Sequence, residues 1–233
     1  MNRQLLPTII LRAISYGMTC VIPTTLVATW TGVVLSGCSS EQINESDPAS
    51  LFKEAEEDIK SDHFLIALER LRNIKNKFPY SNFAVDAQLR IADVYFLQES
   101  FAEAAASYES FKDLHPKHEK APYAAFKAAK SYLNDSPGTV ARDLTSTHKA
   151  LAAYENFLRR YPFSSEAEEA KKDIQTIKET LAEKELTIGD FYFKRDFFIS
   201  AKHRYEKVLK LYPETQAAKA AQVKLNQMES AAK

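Results

Sequence analysis

Apolar residues recur along this chain at helical spacing from about residue 49 onward. They return every three or four positions, with charged and polar residues between them, and no segment shows the strict alternation of a strand. The pattern predicts nine helices, near residues 49–60, 64–77, 82–98, 101–114, 120–133, 145–160, 164–194, 197–211 and 215–231.

Four of these helices end alike, with an aromatic residue or histidine followed by proline, at Pro79, Pro116, Pro162 and Pro213. A tetratricopeptide repeat is about 34 residues of helix, turn and helix that ends in proline. Counting back from each proline at repeat position 32 places small residues at positions 8 and 20, where paired helices approach most closely, and larger apolar residues at positions 24 and 27. The predicted fold class is therefore all-α, a superhelical solenoid of about four to five tetratricopeptide-like helix pairs.

The later repeats are longer than this unit. In the third repeat Ala129 fits position 8, but Ala150 follows nine residues late, and the turn sequence between Asn134 and Asp143 predicts a loop between the two helices. In the fourth interval residues 164–181 contain no proline or glycine and predict an added helix that continues toward Lys194. Residues 215–233 predict a polar last helix that covers the open end of the stack.

The first 37 residues have the composition of a secretory signal. Arg3 and Arg12 are the charged residues there, and the uncharged sequence after them ends in Leu35-Ser36-Gly37-Cys38. This ending resembles the bacterial lipobox, whose cysteine receives diacylglycerol before cleavage. We therefore expect a cleaved signal over 1–37, an N-acyl diacylglycerol lipid on Cys38, a flexible tether over 38–48 and a repeat domain over 49–233.

Two alternatives to this interpretation of the leader remain open. An uncharged stretch of this length could span a bilayer as a transmembrane anchor, although Pro23 interrupts it and a polar tether follows. Translation could also start at Met18 instead of Met1, which would remove both arginines from the leader.

Composition then excludes several kinds of chemistry. The chain balances 31 Lys and Arg against 31 Asp and Glu, so no basic surplus indicates nucleic acid. Cys20 lies in the predicted leader and Cys38 is assigned to lipid, which leaves no thiol in the repeat domain. His115 and His118 alone are too few for a metal site, and no phosphate loop, nucleophile elbow or HExxH pair is present. We expect no catalytic residue, no metal, no cofactor besides the lipid, and no enzyme.

Three turn sequences behind the lipobox carry a family resemblance. They are Phe78-Pro79-Tyr80-Ser81, Tyr161-Pro162-Phe163-Ser164 and Tyr212-Pro213-Glu214-Thr215, and the long third and fourth intervals separate them in order. Together these parts resemble the YfiO or ComL (BamD) family of outer-membrane assembly lipoproteins, over nearly the whole mature chain.

That resemblance implies a non-enzymatic, lipid-anchored scaffold on the periplasmic face of the outer membrane, within the β-barrel assembly (BAM) complex. It implies contacts with the barrel subunit BamA and with other lipoproteins of the complex, and unfolded outer-membrane proteins as further partners. Arg195 and Arg204 are the residues onto which the contact with the barrel subunit carries over. The alternative function is that of another envelope repeat lipoprotein, in secretin or pilus assembly or in division.

The first helix of each pair lines the inner groove of such repeats. Aromatic side chains flanked by charges suit an extended peptide, and this mixture occurs in the second and third repeats. The alternative is that Phe96 and Phe126 pack against neighbouring repeats while the charges are solvated. The predicted peptide groove consists of Asp86, Leu89, Asp93, Phe96, Phe126 and Lys130.

Overall fold

Nine α-helices follow one another through residues 47–231, the part of the chain that the computed structural model describes. Within these residues there is no strand. The predictions for the signal segment, Cys38 and the tether up to residue 46 lie outside the described residues. The helices are α1 (Pro48–Lys60), α2 (Phe64–Lys77), α3 (Asn82–Leu97), α4 (Phe101–Leu114), α5 (Ala121–Asn134), α6 (Thr145–Arg160), α7 (Ala167–Phe193), α8 (Phe198–Leu211) and α9 (Gln216–Ala231).

Every predicted helix is present, and its bounds differ from the predicted ones by at most three residues. The largest difference is at the start of α7, because the hydroxyls of Ser164 and Ser165 donate to the Glu166 carboxylate in a turn before the helix. At the other end of the described chain, Asp47 caps α1 by accepting hydrogen bonds from the backbone N–H groups of Ala49 and Ser50.

Helices that follow each other in sequence pack side by side, and α1 also contacts α3 while α7 contacts α9. The pairs α1/α2, α3/α4, α5/α6 and α7/α8 form four repeats, and α9 covers the last pair. The core residues fall into three clusters: one in repeat 1 and α3, one in repeat 2 and α5, and the largest in repeats 3 and 4 with α9. This arrangement confirms the all-α repeat solenoid.

The positions predicted to hold the closest helix crossings are buried in every repeat. Positions 8 and 20 carry alanine or glycine, which lets the helix backbones approach. Positions 24 and 27 carry larger side chains that fill the seam to the next helix, none more than 2% exposed. In repeat order the four positions are Ala55, Ala67, Leu71 and Ile74; Ala92, Ala104, Tyr108 and Phe111; Ala129, Ala150, Tyr154 and Phe157; and Gly189, Ala201, Tyr205 and Val208.

Gly189 marks the tightest of these crossings. A Cβ atom at this position would lie 2.6 Å from Cε1 and 2.8 Å from Cδ1 of Tyr205, well inside van der Waals contact. The Tyr205 ring is fully buried and its hydroxyl donates to Oδ1 of Asp190 at 2.7 Å, so the ring has little freedom to move away. Glycine is required here by the close approach of α7 and α8.

Three repeats join their two helices through a residue in the left-handed conformation. Asp62, Glu99 and Asp196 have φ angles of 58°, 59° and 63° and all occupy repeat position 15. None is glycine, so each turn carries steric strain between the side chain and the backbone. The strain persists because the buried helices on both sides fix the connection.

The third repeat replaces that turn with the predicted loop between α5 and α6. The Lys184 ammonium on α7 donates to the backbone carbonyls of Val140 at 3.1 Å and Arg142 at 2.6 Å. The Ser146 hydroxyl at the start of α6 donates to Asp135 Oδ2 at the end of α5, at 2.6 Å, and so joins the two ends of the loop. The loop is therefore held against α7 by hydrogen bonds.

Candidate protein-binding surface

The inner face of the first three repeats contains a cleft of about 370 Å³ between α1, α3 and the start of α5. Three of the predicted groove residues, Asp86, Leu89 and Asp93, line it. Charged side chains dominate its walls, so the cleft offers a polar site with one aromatic wall. The complete lining is Phe52, Glu56, Asp86, Leu89, Arg90, Asp93 and Lys120.

Asp93 lies at the centre of a network that joins three helices. Its Oδ1 accepts from the hydroxyls of Tyr108 at 2.6 Å and Tyr123 at 2.9 Å. Its Oδ2 accepts a hydrogen bond from Arg90 at 3.3 Å. Arg90 also forms a bidentate ion pair with the Glu56 carboxylate, at 2.5 and 2.8 Å. Burial, followed by the Asp93 charge, raises the pKa of both tyrosines, so they remain neutral hydrogen-bond donors.

The same tyrosine bond recurs further along the chain. Tyr205 donates to Asp190, which occupies position 9 as Asp93 does, whereas the third repeat has Lys130 at that position. Tyr154 therefore donates to Asp173 on α7, and Lys130 bonds both Asp173 and Glu169 at 2.9 Å. Although burial alone would lower the pKa of Lys130, the bonds from these carboxylates outweigh it and raise the pKa.

Lys127 is the cation of this face that has no carboxylate within ion-pair distance among the described residues. Its ammonium lies 3.4 Å above the centroid of the Phe96 ring. Burial lowers the pKa of Lys127, against the opposing charge of Asp93. Lys127 and Phe96 are both partly exposed, so a cation and an aromatic ring lie together on the surface between α3 and α5.

The structure separates the six predicted groove residues into two groups. Leu89 and Phe126 are buried, and Phe126 packs against the rings of Tyr154 and Phe157. The other four keep exposed surface but are engaged within the protein: Asp86 with Lys120, and Asp93, Phe96 and Lys130 as described above. That a peptide binds here stays a prediction. The sequence prediction missed Arg90 and Lys127, which both occupy repeat position 6. It had assigned only repeat positions 2, 5, 9, 12 and 13 to the groove.

The predicted partner residues lie at the other end of the described chain, around α8. Arg195, in the turn after α7, is exposed, and its guanidinium carbon lies 4.1 Å from the Phe191 ring centroid. Arg204 is half-buried and its Nη1 donates to Glu185 at 2.8 Å, beside a bond from Lys207 to the same carboxylate at 2.5 Å. Arg204 thus has a structural contact of its own, whereas Arg195 is free to meet a partner.

An apolar surface lies next to Arg195 that the sequence reasoning did not identify. Phe197, Phe198 and Ile199 follow one another into α8 and are all exposed, Ile199 to 89%. Phe198 and Ile199 line a largely apolar cleft of about 550 Å³ against α9, with Phe193, Leu225 and Met228 in its wall. The signal in the sequence was the run of three large apolar residues where a repeat turn is normally polar.

Over residues 47–231 there is no set of three or more His, Cys, Asp and Glu side chains that could hold a metal ion. His115 instead contacts Gln88 through Nε2 at 3.1 Å and packs with His118 against the Phe111 ring. In the same residues no helix combines the length and apolarity that crossing a bilayer demands. The expected absence of a metal stays a prediction.

Comparison with known proteins identifies the family. The model of the YfiO family, described as an outer membrane lipoprotein, matches residues 44–232, which include all four repeats and α9. The chain belongs to the YfiO family. This confirms the resemblance that the turn sequences and the long repeats indicated.

Several YfiO relatives carry the name outer membrane protein assembly factor BamD. The protein of Vibrio cholerae is 29% identical, with 80% of this chain and 82% of the relative covered. That of Neisseria gonorrhoeae is 26% identical over 79% and 75%. A tetratricopeptide repeat protein of known structure from Parabacteroides merdae has 17% identity and a TM-score of 0.41, and the match covers 78% of this chain and 60% of that one.

Proposed function

We propose that this YfiO protein is a lipid-anchored scaffold subunit of the machinery that assembles β-barrel proteins in the outer membrane. The observation that carries the proposal is the family match, because it spans every repeat, together with relatives named as outer membrane protein assembly factors. The repeat fold supports a binding role, since its polar groups are used for packing and for contacts between helices.

The lipid on Cys38 and the periplasmic face of the outer membrane are parts of the same proposal. The lipobox-like Leu35-Ser36-Gly37-Cys38 supports them. A variant in which a cleavable secretory signal without a lipobox cysteine replaces residues 1–38 should move from the membrane fraction to the soluble periplasmic fraction and keep its helical circular dichroism. A variant that stays in the membrane fraction would contradict the anchor.

As partner we propose the barrel subunit, BamA in the family, bound through the surface around α8. Three large apolar side chains exposed beside the arginine at position 195 form the kind of anchor that dominates protein interfaces. The contact between Arg195 and the Phe191 ring holds the guanidinium at this surface. The lipoproteins of the complex and unfolded outer-membrane proteins are proposed as further ligands, the latter in the groove of the first three repeats.

Affinity capture from detergent-solubilised envelope tests the partner. We expect wild-type protein to recover the barrel subunit, and Arg195→Glu or Ile199→Asp to reduce the recovery about tenfold or more, as for loss of a hot-spot residue worth about 2 kcal/mol. Arg72→Glu, at an exposed arginine of repeat 1, is the matched control and should leave the recovery unchanged.

Arg204 needs a different substitution. Arg204→Glu would place a carboxylate against Glu185 and disturb the packing of α8 on α7, so a loss of binding would be ambiguous. Arg204→Gln removes the positive charge without adding a negative one and keeps a hydrogen-bond donor. Recovery of a secretin or of division proteins in place of the barrel subunit would reject the assembly function.

A further inference from the structure

The first helices of the repeats begin at one edge of the solenoid. Consecutive helices joined by short turns run antiparallel, so α1, α3, α5 and α7 run in the same direction. Arg90 bonds Glu56, each nine residues into its helix, and Lys120 at the start of α5 bonds Asp86 near the start of α3. Residue 47 and the turns over residues 78–81, 115–120 and 161–166 therefore share this edge, which we call the N-terminal edge.

Two of its three turns hold an aromatic side chain out in solvent. Tyr80 and Phe163 each follow the proline that ends a repeat, and each is exposed over at least 99% of its reference area. Rings in this position contribute nothing to the core. Their recurrence at the same repeat position, on the same edge, indicates a role outside the fold.

The turns of the N-terminal edge carry an excess of basic residues. Residues 74–81, 111–120 and 157–166 contain seven Lys or Arg and three Asp or Glu, whereas Asp47, Asp86, Glu168 and Glu169 lie near the starts of the helices that begin there. Cations near helix C-termini are favourable in themselves, but Lys117 lies in the turn beyond α4, is exposed and has no ion pair among the described residues. Aromatic and basic side chains together are characteristic of surfaces at the membrane interface.

The chain enters the solenoid at this same edge. Eight residues lie between Cys38 and Asp47, and the nine steps from one Cα atom to the next span about 32 Å when the chain is fully extended. A lipid on Cys38 therefore limits how far the N-terminal edge can lie from the bilayer, whereas the opposite edge is farther by the length of a helix, about 20 Å for 14 residues.

We propose that the N-terminal edge lies against the bilayer that holds the anchor, with the rings of Tyr80 and Phe163 in the headgroup region and the basic side chains against lipid phosphates. The proposal rests on the proposed function, because it uses the lipid on Cys38. It adds an orientation: the repeats project from the membrane with their position 15 turns pointing away.

Fluorescence can test this orientation without a background, because the one tryptophan of the chain, Trp30, lies in the predicted signal segment. Tyr80→Trp and Phe163→Trp each give the cleaved, lipidated protein a single reporter. Leu65→Trp is the matched control, since Leu65 is 78% exposed but lies at the opposite edge, just after the turn between α1 and α2. Each protein is placed in vesicles of phosphatidylethanolamine and phosphatidylglycerol, with and without brominated acyl chains.

We expect brominated lipid to quench the indoles at positions 80 and 163 at least twofold, with a blue shift, and to leave the indole at position 65 unquenched. Equal quenching at the two edges, or none at either, in protein that floats with the vesicles would overturn the orientation. Indoles at 80 and 163 that iodide reaches in vesicles, but not after addition of envelope extract, would assign the edge to a protein and also overturn it.

Failure of the anchor gives a different result. Protein without lipid on Cys38 would not float with vesicles, and mass spectrometry would show the unmodified cysteine. That outcome would reject the proposed function and the orientation that rests on it, whereas a lipidated protein with unquenched indoles rejects the orientation alone.

Discussion

Replacing Gly189 by alanine is the sharpest test of how the fourth repeat is packed. The new Cβ would lie 2.6 Å from Cε1 of Tyr205, so the ring or the helix axis has to move by several tenths of an ångström. Overpacking costs about 1–3 kcal/mol, and the buried, hydrogen-bonded ring of Tyr205 should place this site in the upper part of that range, at about 2–3 kcal/mol. Alanine in a helix gains about 1 kcal/mol over glycine, so we expect a net loss of about 1–2 kcal/mol.

For a domain of this size that loss lowers the midpoint of thermal unfolding by about 2–8 °C. Circular dichroism at 222 nm on the mature protein would measure it. Gly138→Ala is the matched control, because a Cβ there meets no atom within 4 Å, and its midpoint should stay close to that of the wild type.

The first repeat supplies a second variant that isolates the contact. It pairs Ala55 at position 8 with Leu71 at position 24, both fully buried. Gly189→Ala combined with Tyr205→Leu reproduces that pair, and the double variant should lose less stability than the sum of the two single variants. A Gly189→Ala protein as stable as the wild type, or additivity in the double variant, would refute the packing argument.

Four further predictions concern single residues. Thr147 is buried and its Oγ1 has no hydrogen-bond partner among the described residues, so Thr147→Val should raise stability by about 1 kcal/mol. By contrast, the Thr215 hydroxyl caps α9 through the Ala218 N–H, and Thr215→Val should lose about 1 kcal/mol. Urea unfolding of both threonine variants measures these two changes. Glu99→Asn should gain about 1 kcal/mol, because asparagine tolerates a φ of 59° better; Glu103→Asn, inside α4, should gain nothing. Burial alone would raise the pKa of Glu185, but hydrogen bonds from Lys207 and Arg204 lower it below 4.5. The stabilisation by Glu185 is therefore complete above pH 4.5 and is lost as pH falls through the lower folded pKa. Glu185→Gln should be less stable at pH 7, by a margin that shrinks below pH 4.5; a margin independent of pH would contradict this.

The helices and the core could be predicted because their determinants are local. Small residues at positions 8 and 20 and prolines at position 32 report contacts within a repeat, and the structure buries all of the former. The prediction that residues 164–194 form one added helix followed from the absence of proline and glycine over residues 164–181. Only the serines before α7 shifted a boundary by three residues.

The surface could be predicted less well, because its state depends on residues distant in sequence. Phe126 is an aromatic residue at a predicted groove position, yet the rings of Tyr154 and Phe157 on α6 cover it. Asp93 was expected to face a ligand, and it instead accepts three hydrogen bonds from side chains up to 30 residues away. The bond from Arg204 to Glu185 crosses 19 residues, and no periodicity within one helix reveals it.

The long helix α7 belongs to two repeats at once. Its first half bonds Tyr154 and Lys130 of the third repeat, and its second half holds Gly189 against Tyr205 of the fourth. Under a pulling force on the two ends of the solenoid, we expect repeats 1 and 2 to detach in turn, because their cores form two clusters that meet at α3. Repeats 3 and 4 share one cluster and one helix, so they must rupture together. We therefore expect repeats 1 and 2 to unfold in separate steps under force, and repeats 3 and 4 to transmit the force as one mechanical unit.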